Sequence, residues 1–362
     1  MSLSLYWFVP SHGDGPAISR RHGGGSVQRA PDLAYLGQVA SAAEQLGFDG
    51  LLVPFGMFCE DPWLVAVALA QRTSRIKFMV AMRPSLLSPM LAAQMAATAQ
   101  RLTGSRLQLN VVTGGDLDEQ MRYGQWLDHD KRYAQTAEFL TILRGAASGR
   151  PFDFSGEYFQ VKGAVVRRSA PAPPVFVGGS SAVAQQVAAA HGDIYLAWGE
   201  EPSKLRELFG GVRELAAGRG RELSCGSRFH VISRDRAEDA WAAADALLAD
   251  LDPAMVAGAQ ARMRRSESAG QRRMAAMHGG EHDALELYPN VWAGFGLLRP
   301  GPGAALVGSH EQVADRIAEY HDLGVEHLIL SGQPHLEEAY LFGEGVIPLL
   351  RERGVVKAAS CD

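Results

Sequence analysis

Cysteine is scarce in this chain. Its 362 residues hold three, Cys59, Cys225 and Cys361, with no metal-like spacing among them. That argues against a disulfide framework and against a cysteine-based zinc site. No apolar run approaches the roughly 20 residues that cross a bilayer. Basic runs are missing too: 35 Lys and Arg stand against 40 Asp and Glu, for a formal net charge of -5. A protein that tracks a phosphate backbone is therefore not expected. The first ten residues, Met1 to Pro10, lack a basic start and a cleavage site, and read as a strand rather than a signal peptide. A reduced, cytoplasmic chain fits these absences. What is present in quantity is apolar: 47% hydrophobic against 21% charged residues, enough for a sizeable core and too apolar for disorder.

The apolar residues fall into two alternating patterns. Short β-type runs lie at 5–10, 50–54, 76–82, 107–113, 174–178, 194–198, 228–233 and 327–331. Amphipathic stretches near 31–46, 61–72, 88–103, 131–147, 181–191, 202–219, 235–250 and 309–323 separate them, and one more follows Pro334. Eight strands, each followed by a helix, predict an α/β fold of the (β/α)8 barrel type as one domain over 1–362. An open doubly wound sheet is the alternative, but the Gly-rich dinucleotide turn it would place after an early strand is missing. Three stretches exceed a minimal barrel. Residues 11–30 are rich in Gly, Ser, Arg and His. Residues 149–172 contain a hairpin-like Asp153-Phe154-Ser155-Gly156-Glu157-Tyr158-Phe159. Residues 252–304 begin with helical periodicity and end in Gly and Pro. Long insertions after barrel strands are usually binding loops or lids.

Polar residues recur at the carboxyl ends of the expected strands. Arg228 and His230 alternate with Phe229 and Val231, which places the two basic side chains on one strand face. Either that face looks into a site for a small anion, or both side chains reach water at a strand edge. Gly178-Gly179-Ser180-Ser181 opens a helix directly after an apolar strand. It is a phosphate turn or simply a tight turn with a serine cap. Arg132-Tyr133, at a helix start, would add a phosphate or ribityl contact, or be a solvated arginine beside a packed tyrosine. Cys59 precedes the acidic pair Glu60-Asp61, which disfavours a thiolate nucleophile and leaves hydrogen bonding near a cofactor, or burial. Arg299, in the Gly/Pro-rich 297–303, is either solvated or swung into the site by a closing lid. Glu337 and Glu338 suit the dipole of the last helix and need no catalytic role.

Taken in order, several strings resemble the alkanesulfonate monooxygenase family of the bacterial luciferase superfamily. They are residues 6–15 (Tyr6 to Gly15), Cys59-Glu60-Asp61, Asn110-Val111-Val112-Thr113-Gly114, Gly178-Gly179-Ser180-Ser181, Trp198-Gly199-Glu200, Arg228 to Ile232, Trp292-Ala293-Gly294 and Pro334 to Tyr340. The resemblance spans nearly the whole chain. It implies a luciferase-like (β/α)8 barrel that takes reduced FMN (FMNH2) from a separate NAD(P)H-dependent flavin reductase. It also implies use of O2 to cleave a C–S bond, giving an aldehyde, sulfite and oxidised FMN, in a homodimer or a dimer of dimers.

By the same resemblance, Cys59, Arg228, His230 and Arg299 are the catalytic positions. Arg228, His230, Arg299, Gln333, Trp198 and His12 face the substrate. Asn110, Thr113, Arg132 and Tyr133 face the flavin, with its phosphate at Gly179 and Ser180. Two departures stand out. Gln333 occupies the place of the family's tyrosine between Ser-Gly and Pro-His, and Gly56-Met57-Phe58 replaces the usual Gly-Arg-Ser before the cysteine. An amide where a phenol is usual favours a hydroxylated substrate, a sulfonated sugar such as sulfoquinovose as much as a plain alkanesulfonate. The competing expectation is a luciferase-like flavin monooxygenase for a non-sulfonate substrate such as a sulfone or heterocycle. Neutral substrates, however, give no reason to gather two arginines and a histidine.

Overall fold

A computed structural model of the chain describes residues 2–15, 29–249, 251–279 and 285–358. Its strands are β1 (Ser4–Phe8), β2 (Gly50–Val53), β3 (Lys77–Met82), β4 (Leu107–Val111), β5 (Phe152–Ser155), β6 (Gln160–Ala164), β7 (Val175–Gly178), β8 (Ile194–Trp198), β9 (Ser224–Arg234), β10 (Glu286–Tyr288), β11 (Val291–Trp292), β12 (Ala305–Ser309) and β13 (His327–Ser331). Eight of them, in the order β9-β13-β1-β2-β3-β4-β7-β8, pair in parallel, and β8 returns to β9 to close the ring. The closed eight-stranded barrel surrounded by helices is the predicted (β/α)8 fold.

Closure follows from the burial pattern. Residues on the outer strand faces, such as Trp7, Val53, Val80, Phe229 and Leu330, pack with the helices in one large core. Inward-facing Tyr6, Phe8, Leu52, Met79, Phe176, Ile194, Leu196 and Ile329 fill the barrel. A parallel strand buried on both faces reads as a nearly continuous apolar run. The helices start where short polar side chains can cap them. Asp32, Ser88 and Ser181 accept from backbone N–H groups of the first turn, and Ser309 with Gln312 forms a reciprocal capping box.

The insertions take defined forms. β5 and β6 are the expected antiparallel hairpin. Of the 11–30 stretch, Asp14 and Arg29 form an antiparallel bridge, while residues 16–28, which include Gly23-Gly24-Gly25, lie outside the described residues. Cys361 also lies outside them. The 252–304 stretch supplies helices Pro253–Arg264 and Ala269–Ala276, then β10 and β11.

One feature departs from a minimal barrel. β9 is 11 residues long, and β8 pairs only its first half, Ser224 to Arg228. From His230 onward β12 takes over that edge in parallel, so β10–β12 extend the sheet beyond the barrel rim. Ile232, Trp292, Phe295, Leu297 and Val307 make a second core beneath this extension.

Candidate active site at the barrel mouth

Arg228 lies on the inward face of β9, in register with Trp198 on β8 and Ile329 on β13. Its guanidinium sits over the ring of Phe8, 4.5 Å from the centroid. No carboxylate pairs with it among the described residues, and its Nε is buried without a hydrogen-bond partner. Burial draws its pKa down to about 10, opposed by the proximity of Cys59. That value is still well above neutrality, so the group stays cationic. Because the pKa is lowered on folding, holding this charge costs stability at every pH below about 10. A cation kept at such a cost invites an anion from outside the chain.

His230 is also inward and buried, 5% exposed. Ser331 Oγ lies 2.9 Å from Nδ1, Pro302 O lies 3.2 Å from Nε2, and the ring stacks on Phe295 at 3.9 Å between centroids. A carbonyl can only accept, so Nε2 carries the proton and Nδ1 accepts from the serine. Burial, with Arg299 and Arg228 nearby, holds its pKa well below the ordinary histidine value. The expectation that His230 grips an anion beside Arg228 therefore needs correction. The imidazole is neutral, both its nitrogens are engaged, and it anchors the loop that carries Arg299.

Arg299 reaches the mouth from that loop. The Gln333 amide oxygen, turned toward it, accepts from Nη1 and Nη2 at 2.5 and 2.7 Å. Gln333, 8% exposed, is thus the arginine's positioning partner as well as part of the pocket wall. Cys59 stands half-buried in the turn after β2, where its N–H donates to Gly56 O. The next residue's N–H donates to Ser11 O and ties this loop to the one after β1. His12, in that first loop, meets Phe8 edge-on.

The expected flavin side lies across the barrel. Asn110 is inward on β4 and 9% exposed. Tyr133 is buried, its phenol raised by burial, with Thr113 and Gly178 O as its hydrogen-bonding neighbours. Gly179 adopts φ +128°, and Tyr195 Oη donates to its carbonyl at 2.8 Å. Ser181 is the helix cap. The Ser180 hydroxyl lies toward the insertion helix Ala269–Ala276, where a Cβ on Gly270 would come within 3.5 Å of it and 3.3 Å of the Trp198 ring. Hydroxyls of Ser180 and Thr113, the Asn110 amide and a capped helix start form a donor set that fits a phosphate monoester and a polar ribityl chain.

Arg132 does not belong to that set. It is 2% exposed, pairs with Glu267 at 3.0 Å, and donates to Leu127 O and Gly114 O. It cannot serve a phosphate as expected, because the insertion already uses its guanidinium. Arg273 with Glu200, at 2.8 and 2.6 Å, ties the same insertion to the end of β8. Ser266 Oγ donating to Gly115 O is a third tie, and together they dock the insertion over the mouth.

Two arrangements escaped the sequence reading. Arg83, 6% exposed at the end of β3, lies against Phe55 and Tyr123 and pairs with Glu119. Asp14, fully buried, bonds the backbone N–H of His335 and sits 2.8 Å from its Nδ1. Both members of that second pair stand in strings carrying the family resemblance, but nothing local signals that they meet. Glu337 and Glu338 are engaged in ion pairs, with Arg29 and Arg234.

Comparison with known proteins agrees with this architecture. The riboflavin lyase solved with modified FMN and riboflavin superposes with a TM-score of 0.82 at 22% identity, covering 100% of this chain and 94% of that one. The EDTA monooxygenase of Chelativorans sp. BNC1 gives 0.81 at 22%, covering 100% and 96%. A long-chain alkane monooxygenase gives 0.79 at 20%, covering 100% and 94%. At these identities the likeness shows the fold. No helix among the described residues is long and apolar enough to cross a membrane. The family model described as luciferase-like monooxygenase matches residues 15–327, and the chain belongs to that family.

Proposed function

We propose that this chain is a two-component monooxygenase that uses reduced FMN and O2 to cleave the C–S bond of an organosulfonate. The products are sulfite and a carbonyl compound. The observation that carries this reading is Arg228: a charged, partly buried guanidinium group over an aromatic face, its Nε enclosed and without a hydrogen-bond partner, with no carboxylate partner among the described residues. A sulfonate offers three acceptor oxygens and one negative charge, and the planar fork of arginine suits it. Arg299, held by Gln333 on the opposite loop, supplies a second cation to the same anion.

FMN would be held by Ser180, the Gly179 turn, Thr113 and Asn110. When bound and reduced, it supplies the two electrons that let O2 deliver one oxygen atom. The chain's own tasks are to orient the sulfonate and to exclude water, which the docked insertion does by covering the mouth. An NAD(P)H-dependent flavin reductase as electron source and a homo-oligomeric assembly belong to this proposal.

A reductase-coupled sulfite-release screen tests it, with octanesulfonate, a sulfonated hexose, a sulfone and a carboxylate analogue as substrates. Sulfite from the sulfonates alone supports the reading. Oxygen consumption coupled to product from the sulfone or the carboxylate, with no sulfite from either sulfonate, contradicts it.

The same screen reads the role of Gln333. Replacing it with tyrosine removes an amide from the pocket and puts a phenol where the amide oxygen accepts from Arg299. Gln333→Tyr is expected to lower turnover of the sulfonated hexose by roughly tenfold more than that of octanesulfonate, the size of one lost hydrogen bond to substrate. Equal losses on both would assign the residue to positioning Arg299 alone.

A further inference from the structure

Residues 296–303, the loop that carries Arg299, close at a glycine neck. The Gly296 N–H donates to Gly303 O at 3.2 Å, and a Cβ on Gly303 would come within 2.9 Å of Gly296 Cα. Much of the loop is buried, so its peptide groups need partners. Several of these are side chains from elsewhere in the fold. Gln260, on the insertion helix Pro253–Arg264, donates through Nε2 to Gly296 O and Leu297 O, both at 2.9 Å. Gln271, on the helix Ala269–Ala276, accepts the Gly301 N–H at 2.8 Å. His230 Nε2 donates to Pro302 O. Leu298, immediately before Arg299, packs against Ala259, Met263 and Ala275 of the same two helices.

Both glutamines are buried, 1% and 5% exposed, and each has one end of its amide unspent. Gln260 Oε1 and Gln271 Nε2 have no hydrogen-bond partner among the described residues. A half-satisfied buried amide costs the fold stability, and apolar side chains of the same size would fill the space between these helices without that cost. What the two amides secure is the backbone on either side of Arg299, at 296–297 and at 301. Gln333 holds the guanidinium itself. Backbone placement by the insertion and side-chain direction by Gln333 together decide where this cation stands.

We propose that Gln260 and Gln271 are positioning residues that set Arg299 against the anionic head of the substrate. The insertion is then the template of the substrate site as well as its cover. This rests on the sulfonate reading above, in which Arg299 is the second cation. Neither glutamine contacts the substrate in this scheme. Gln260 acts as a donor and Gln271 as an acceptor, which makes their roles separable. Gln271→Glu keeps an oxygen for the Gly301 N–H in either protonation state, whereas Gln260→Glu offers two carbonyls one proton at most.

The test uses the full chain with reductase, NAD(P)H, FMN and the best sulfonate of the screen. Replacement by methionine keeps the side-chain length and removes the amide. Gln271→Met is expected to lower kcat/KM for sulfite release by roughly tenfold, the size of one coupled contact, with anaerobic reduced-FMN affinity unchanged within about threefold. Gln271→Glu should retain wild-type kcat/KM, while Gln260→Met and Gln260→Glu should both lose it. The deciding comparison is a double-mutant cycle. On top of Arg299→Ala, Gln271→Met should change kcat/KM by less than about twofold, because the group it positions is already gone. A merely structural glutamine would cost the same in both backgrounds. A loss that persists in Arg299→Ala, wild-type kcat/KM in Gln271→Met, or an equal loss in Gln271→Glu overturns the assignment and leaves the sulfonate reading standing. Should Gln260→Met fail to fold, the Gln271 variants and the cycle decide the matter by themselves. No sulfite from the wild-type protein with any sulfonate overturns the sulfonate reading, and this assignment with it.

Discussion

Arg228→Met should nearly abolish sulfite release while leaving the protein at least as stable as wild type. The two halves of that expectation have one cause. Arg228 is charged, partly buried with its Nε enclosed, and without a carboxylate partner among the described residues, so folding bears most of its desolvation uncompensated. Methionine fills similar space against Phe8 and removes the charge. The melting temperature should therefore hold or rise. Without the guanidinium, a buried –SO3⁻ loses its main charge-assisted partner in ground and transition states. A loss of about 2–4 kcal/mol corresponds to a rate lower by roughly 10²–10³-fold. Thermal melts and coupled sulfite assays on the one variant check both halves. A marked fall in melting temperature would show Arg228 to be a structural cation. The contrast is Arg234, whose removal would strand the buried carboxylate of Glu338.

The second large effect is expected at Gly179. Its φ of +128° is a backbone conformation that L side chains rarely adopt. A Cβ there would lie 2.3 Å from Tyr133 Oη and 2.7 Å from Ala184 Cβ. Tyr133 is buried and Ala184 belongs to the helix that Ser181 caps, so neither can yield cheaply. Gly179→Ala combines left-handed strain with overpacking and should cost about 2–4 kcal/mol of stability. Because the turn carries Ser180, reduced-FMN affinity should fall by roughly tenfold or more, as expected for a lost phosphate contact. Denaturant midpoints and anaerobic flavin titration measure the two effects. Wild-type values for both would mean that the turn rearranges freely and does not cradle a phosphate.

How much of this could be read from the chain depends on how local each signal is. β8 and β13 occupy the residues expected of them, 194–198 and 327–331, because each is an apolar run buried on both faces. β9 begins at Ser224, four residues before the run at 228–233. Ser224-Cys225-Gly226-Ser227 has no β pattern of its own and becomes strand only by pairing with β8 and β13. The sheet extension through β10 and β11 was invisible for the same reason, since those short strands exist by pairing outward from β12 on the overhang of β9.

The site divides along similar lines. Alternation alone put Arg228 and His230 on one face, and they are. What each does there was not legible. The neutral state of His230 depends on Pro302 and Ser331, the second of these 101 residues away in sequence. Arg132 looked free until Glu267, 135 residues on, was brought against it by the insertion. Asp14 and His335 are separated by 321 residues and meet only because β1 and β13 are neighbours in the ring.

The central claim is that Arg228 is the seat of the substrate's anionic head. A crystal structure of the protein soaked with octanesulfonate in the presence of FMN tests it most directly. The account predicts sulfonate oxygens within about 3 Å of the Arg228 guanidinium, the ordinary charge-assisted distance, above the Phe8 ring and on the same side of the barrel as Arg299. A sulfonate bound elsewhere, or Arg228 turned away and paired with a carboxylate of the protein, would contradict it.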